Sequence, residues 1–438
     1  MQVDREVVVK RGYLALVVIV VLSLLFATAT AAGAWGRDGQ RAPDRHHQSS
    51  GIDKIDHVVV LMQENRSYDS YFGPLHFQGQ PNSAREPNRP NPNPLGGPPI
   101  HPFLTTTPCT SADLNHSWDG THNEIDGGRM DRFTAQNTDP TDPTGSRTMS
   151  YYDRQTLPFY YGIANEFAIA DRYFASVPGP TFPNRFYLLT GTSVGYVSNV
   201  PRVYTQKPIF QSLDEASPRV SWKIYLASVQ VELLLRYVID HRAGHVFPLS
   251  QYYTDAANGN LPQVSFVESD GSGDVNHETD EHPPANVQVG QKFTHDILGA
   301  LVASPNWTSS AMFLTYDEHG GYYDHVSPPP AVPPDNIPPM VPPTDPFNKF
   351  NLYGVRVPAL VMSPYSNPHH VSHVVYDHTS ILKFIETRFG LPPLTRRDAA
   401  ADPMLDMFDF HHASLLHPKI PDAPVDPVGL FTCKLLHP

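Results

Sequence analysis

Residues 55–73 read IDHVVVLMQENRSYDSYFG. Val58, Val59, Val60, Leu61 and Met62 make an unbroken apolar run of strand length. A run apolar on both faces suits a strand buried in a parallel sheet. It stops at Gln63-Glu64-Asn65-Arg66-Ser67, which is entirely polar. Open α/β sheets hold their ligands just beyond the carboxyl ends of their strands. Glu64 brings two hard oxygens to that place and Asn65 a carbonyl oxygen, the start of a divalent-metal or phosphate-handling site. Taken alone, the stretch reads equally well as a strand followed by a helix with a polar first turn.

Two later stretches tip that balance. In residues 311–326, AMFLTYDEHGGYYDHV, Met312 to Thr315 form a second buried strand, and Asp317-Glu318-His319-Gly320-Gly321 follow at once. Adjacent carboxylates repel, so a pair at a sheet end calls for a cation to neutralise it. In residues 176–193, SVPGPTFPNRFYLLTGTS, Pro178, Gly179, Pro180 and Pro183 constrain a turn ahead of an apolar helix. Thr181 therefore sits at or just before a helix N-terminus, where backbone N–H groups favour an anion. A hydroxyl there can be deprotonated against a metal and attack phosphorus. The same Thr can equally be an N-cap, and both roles are compatible.

The remainder supplies the body. Residues 157–173 carry Phe159, Ile163, Ala164, Phe167 and Ala168 at helical spacing and lead to a strand. Residues 261–267 and 357–362 read as strands, and residues 286–301 and 377–389 as helices. The tail from Pro392 has few core signals and is expected to wrap the surface. Residues 78–108 and 327–347 are rich in Pro and read as irregular loops. His116 lies in a polar and aromatic loop, residues 113–133, and His282 in an acidic one after the strand at 261–267. Strands alternating with helices predict an α/β fold with a mostly parallel sheet sandwiched by helices. The strand ends then converge on one edge, with Glu64, Asn65, Thr181, Asp317 and Glu318 around one or more divalent ions.

The formal charge of −13 excludes an ordinary nucleic-acid binder, which needs a basic surface. Lys10 and Arg11 precede an apolar stretch, residues 13–26, broken only by Ser23 and followed by small residues. Residues 1–34 thus read as an export signal, residues 35–51 as a flexible spacer and residues 52–438 as the functional domain. An uncleaved membrane anchor is the alternative. The expected location is secreted, periplasmic or cell-surface. Cys109 and Cys433 are the chain's two cysteines. In an exported protein they can pair, and two buried thiols are the other reading.

The stretches VVVLMQENRSYDSYFG, NHSWDGTHNEIDGGRMDRF, SVPGPTFPNRFYLLTGTS, DEHPPANVQVGQKF, TYDEHGGYYDHVSPP and VPALVMSPYS with DHTSILKFIE occur in this order over residues 52–398. Together they resemble the phosphoesterase family of bacterial phospholipases C, plant non-specific phospholipases C and related acid phosphatases. That family is similar in fold to the alkaline phosphatase and sulfatase superfamily. The resemblance implies that Glu64, Asn65, Asp317 and Glu318 bind metal, with Thr181 both nucleophile and ligand. It implies that His116 and His282 contact phosphate oxygens or protonate the leaving group, with His319, His325 and His378 secondary. The substrate is then a phosphoester, a phospholipid for a phospholipase C, with the membrane surface reached through it. A phosphomonoesterase and a non-catalytic binding protein of the same fold are the rivals. A sulfatase is disfavoured, because its modified Cys or Ser is replaced by Thr181.

Export with cleavage near Ala34 is testable by intact-mass analysis of the protein from its native host. A mature chain lacking the first 34 or so residues is expected, and a membrane-embedded chain still starting at Met1 would identify an anchor.

Overall fold

The apolar run at the start of the domain is strand β1 (His57–Gln63), and it lies inside an eight-stranded sheet. The computed structural model describes residues 51–437, which fall within one compact unit. The expected signal at 1–34 and nearly all of the spacer at 35–51 lie outside the described residues. The other strands are β2 (Phe103–Leu104), β3 (Ser150–Tyr151), β4 (Ala168–Ala170), β5 (Trp222–Leu226), β6 (Val246–Pro248), β7 (Val264–Glu268), β8 (Ser310–Tyr316), β9 (Ala359–Met362) and β10 (Val371–Ser372). The large sheet has the order β10-β4-β9-β8-β1-β7-β5-β6, and β2 pairs with β3 apart from it.

β1 runs parallel to both neighbours, with Val58 opposite Ala311 of β8 and Val264 of β7. Every residue of β8, and all of β1 except His57, is buried. Successive strand side chains point to opposite faces, so both faces of the sheet are covered. One group of covering helices packs Thr181–Thr190 against His378–Phe389. Another packs Val287–Val302 against Pro158–Glu166 and Leu249–Ala257. The α/β sandwich expected from the sequence is therefore present.

β9 departs from the parallel pattern and runs antiparallel to β8 and β4. The reason lies in the connection. Residues 317–358 contain no helix and many prolines, so no crossover carries the chain back to the amino edge. The chain re-enters the sheet from the carboxyl edge instead.

Three local expectations change. The helix expected over 157–173 ends at Glu166, and Ala168–Ala170 is already strand β4. The loop at 78–108 contains the two-residue strand Phe103–Leu104. The tail beyond Pro392 does enter the core: Met404, Met407, Phe408 and Phe410 are buried, and Phe408 stacks on Phe384 and Phe410. Cys109 and Cys433 form a disulfide that ties the helix Pro427–Leu436 to the body.

Arg356, immediately upstream of β9, is fully buried at the carboxyl edge. Its Nε donates to Asp324 at 2.9 Å, its Nη2 to Asp69 at 2.9 Å and its Nη1 to the Asp171 carbonyl at 2.7 Å. Asp69 and Asp324 together with His325 would otherwise have the composition of a metal site. The guanidinium fills that role and joins the loops after β1, β4 and β8.

Two outcomes follow. Arg356→Met should destabilise the fold by about 3–5 kcal/mol in urea unfolding, because two buried carboxylates lose their counter-charge. Cys433→Ser should expose the helix Pro427–Leu436 to limited proteolysis, with cleavage mapped by mass, while the body stays intact. An unchanged digestion pattern would show that packing alone holds that helix.

Candidate active site

The loops leaving β1 and β8 are sewn together. Asp317 N–H donates to the Gln63 carbonyl at 3.0 Å and Arg66 N–H to the Glu318 carbonyl at 3.0 Å. Asn65 N–H donates to Asp317 Oδ1 at 3.0 Å, and Glu318 N–H donates to the same oxygen at 2.7 Å. Asn65 is left-handed with φ 64°, a conformation that Asn tolerates better than most residues. Gly320 lies so close that a Cβ there would sit 2.4 Å from the Asn65 carbonyl oxygen. Only glycine permits this approach.

Each carboxylate of the pair is held by one oxygen and leaves the other without a hydrogen bond. Asp317 Oδ1 takes the two N–H donors, and Oδ2 makes no hydrogen bond. Glu318 Oε2 accepts from Gly320 N–H at 2.7 Å, and Oε1 makes none. Both side-chain polar atoms of Asn65 are also buried without a hydrogen bond. Orphaned buried polar atoms cost about 1–3 kcal/mol each. Burial, with the nearby charges of Glu64 and Glu318, pushes the Asp317 carboxyl well above the usual range. Oxygen donors crowded with excess negative charge fit a hard divalent cation such as Mg²⁺, Mn²⁺ or Ca²⁺. Glu64, Asn65, Asp317 and Glu318 are the residues that would hold it.

Thr181 is the first residue of the helix Thr181–Thr190 and is buried. Pro180 is the cap, and no side chain makes a capping bond there, so Thr181 is not spent as an N-cap. Asn184 builds the preceding turn: its Oδ1 accepts from Val177 N–H, and its Nδ2 donates to the Gly179 and Pro180 carbonyls. Arg185, four residues after Thr181 and on the same helix face, is structural. Its Nη1 donates to Glu268 at 2.8 Å and its Nη2 to Glu64 at 3.3 Å, and its Nε lies 3.8 Å from Asp317 Oδ2. This guanidinium docks the helix that begins with Thr181 onto the carboxylates.

His116 Nδ1 lies 2.9 Å from the Leu114 carbonyl, which assigns its proton there and turns Nε2 toward Glu318 Oε1 at 4.0 Å. His282 is held alike, with Nδ1 2.6 Å from the Pro283 carbonyl and Nε2 3.7 Å from Asp113 Oδ2. The two rings meet edge to face with centroids 5.8 Å apart. Asp113, His116 and His282 each bring a ligand atom within 4.8 Å of the others. This trio is able to hold a cation or to relay protons.

The secondary histidines divide. His378 Nε2 donates to the Asp317 carbonyl at 2.7 Å, and its Nδ1 accepts from Tyr173; burial holds it neutral, with a pKa of about 3. His319 bonds Glu124 at 2.8 Å and lies 3.2 Å from Glu318; burial opposes its charge, but these carboxylates raise it to about 9. His325 pairs with Asp69 in the Arg356 cluster. Asp113, Glu124 and Glu268 were not singled out from the sequence. Asp113 was the most visible of them, three residues before His116 in a loop already marked as polar.

The profile of the Phosphoesterase family matches residues 55–392. Non-specific phospholipase C1 of Arabidopsis thaliana is 33% identical over 374 residues, covering 78% of this chain and 69% of that protein. Phospholipase C B of Mycobacterium tuberculosis (strain CDC 1551 / Oshkosh) is 32% identical over 450 residues, covering 88% of this chain and 84% of that protein. Among solved structures, the lipoteichoic acid synthase LtaP from Listeria monocytogenes covers 85% of this chain and 79% of its own at 10% identity and a TM-score of 0.37, too loose a likeness to carry an argument. By the match over most of its length, the chain belongs to the phosphoesterase family.

Proposed function

We propose that this protein is an exported, divalent-metal-dependent phosphoesterase of the phospholipase C type, acting on phospholipids through a phosphothreonine at Thr181. The carrying observation is the set of buried atoms without hydrogen bonds on Asn65, Asp317 and Glu318 where the loops after β1 and β8 meet. The phospholipase C relatives supply the substrate class.

Glu64, Asn65, Asp317 and Glu318, with the Thr181 hydroxyl, would hold the metal. When bound, it lowers the pKa of that hydroxyl and offsets charge on the phosphoryl oxygens. Thr181 Oγ1 attacks phosphorus in line as the bond to the diacylglycerol oxygen breaks. The Thr181 proton passes to solvent. The leaving oxygen takes the Nε2 proton of His282 or His116 in its doubly protonated form, while Nδ1–H stays on its backbone carbonyl. The Nε2 left bare then takes a proton from the attacking water. Water then attacks the phosphothreonine, releasing the phosphorylated headgroup and restoring the hydroxyl. Arg185 keeps the helix that opens with Thr181 seated against Glu64 and Asp317.

A panel of p-nitrophenyl phosphate, p-nitrophenylphosphorylcholine and phosphatidylcholine, each with and without chelator, tests the reading. Turnover of the two diesters, lost with chelator and restored by added metal, is expected. Preference for p-nitrophenyl phosphate would mark a phosphomonoesterase instead. Asp317→Asn should lower metal content and turnover together, and full activity in metal-free protein would overturn the assignment.

Thr181→Val is expected to abolish turnover with little change in melting temperature, since no capping bond is lost. Thr181→Ser should retain part of the activity. Rapid quench followed by peptide mapping should find the phosphate on Thr181. Undiminished turnover by Thr181→Val would remove this mechanism.

A further inference from the structure

Beneath the site lies a second constellation that the mechanism does not use. Glu281 is fully buried, left-handed at φ 71° and directly precedes His282. Its Oε2 accepts the hydroxyls of Tyr71 and Tyr316, the latter at 2.8 Å. Its Oε1 accepts the hydroxyl of Tyr160 and lies 3.4 Å from Gln63 Nε2. Tyr160 leans in turn on Thr294 at 3.0 Å, and Tyr71 takes a 3.3 Å bond from Arg66 Nε. A buried carboxylate with three phenol donors is fully satisfied, and each donor comes from a different element.

The placement of these groups is the telling feature. Gln63 is the residue before Glu64, Tyr316 the residue before Asp317, and Glu281 the residue before His282. Gln63 and Tyr316 are register partners at the ends of β1 and β8, so their side chains share a face. Two neighbours of site residues, Gln63 and Tyr316, therefore converge on the carboxylate of a third, Glu281. Asp280, one residue further back, adds to the seam: its carbonyl accepts Glu64 N–H at 2.8 Å and its Oδ1 accepts His282 N–H at 3.0 Å. The helix Val287–Val302 makes room with Gly290, where a Cβ would lie 2.1 Å from Glu281 Cγ.

We propose that Glu281 is a positioning residue: its carboxylate fixes His282 against the strand ends that carry Glu64 and Asp317, so that the imidazole meets the leaving oxygen. The inference rests on the reading of His282 as proton donor to the leaving group. Glu281 itself touches neither substrate nor metal. Gln at this position keeps the size but turns one acceptor oxygen into an NH₂ donor, which the phenol hydroxyls cannot satisfy without rearranging.

The test compares kcat/KM for phosphatidylcholine, whose alkoxide needs a proton to leave, with p-nitrophenylphosphorylcholine, whose nitrophenolate does not. Glu281→Gln should lower the first by about 100-fold, the scale of a small misplacement, and the second by less than about threefold, with metal content unchanged. His282→Ala is the benchmark and should show the same selectivity. Tyr316→Phe, which deletes one donor and keeps the ring, should show it to a smaller degree and serves if Glu281→Gln does not fold. Equal slowing of both substrates by Glu281→Gln, or by Tyr316→Phe in its place, while His282→Ala discriminates would overturn the positioning role. Wild-type selectivity in both variants would do the same. Equal slowing of both substrates by His282→Ala would instead overturn the reading of His282, and this inference with it.

Discussion

The seam between β1 and β8 is the interaction on which the rest depends. Two parallel strands in register deliver their polar ends to the same height, Gln63 opposite Tyr316. Their loops then exchange hydrogen bonds: Asp317 N–H to the Gln63 carbonyl, Arg66 N–H to the Glu318 carbonyl and Asn65 N–H to the Asp317 carboxylate. The apolar run of β1 makes that register stable, because slipping by one residue would exchange the two faces of the strand. Carboxylates that would separate in water are thereby held together in a buried place.

Such a cluster is unfavourable unless it is compensated. One guanidinium, Arg185, is shared among Glu64, Glu268 and Asp317. A single positive charge cannot balance three carboxylates and Glu318 beside them, and the excess would favour a divalent cation there. The same arginine fixes the helix that opens with Thr181. The charge balance and the seating of that helix are thus one structural fact. Arg356 shows the contrasting solution. There a guanidinium lies between Asp69 and Asp324 and satisfies them itself.

Behind the candidate site residues, the fold uses buried polar networks where apolar packing would serve stability as well. Glu281 with its tyrosines and Glu124 with His319 each stand one step behind a site residue. Networks of this kind cost desolvation and supply geometry, because each hydrogen bond fixes a direction as well as a distance.

The sequence by itself determined what is local. The strands β1 and β8, the polar residues ending them and the Pro/Gly turn before Thr181 were all legible, because apolar periodicity and turn chemistry act over a few residues. Glu64, Asn65, Asp317 and Glu318 were visible as ligand candidates for the same reason. The tertiary structure alone decided what depends on partners far apart in the chain. Arg185 as a brace, Arg356 in place of a metal, Asp113 beside His282 and the core contacts of Phe408 all join residues separated by tens to hundreds of positions. The reversed direction of β9 is of the same kind, since it follows from where the Pro-rich connection leaves the chain. No local pattern encodes these pairings, because a charged or aromatic side chain has the same intrinsic preferences whichever partner the fold brings to it.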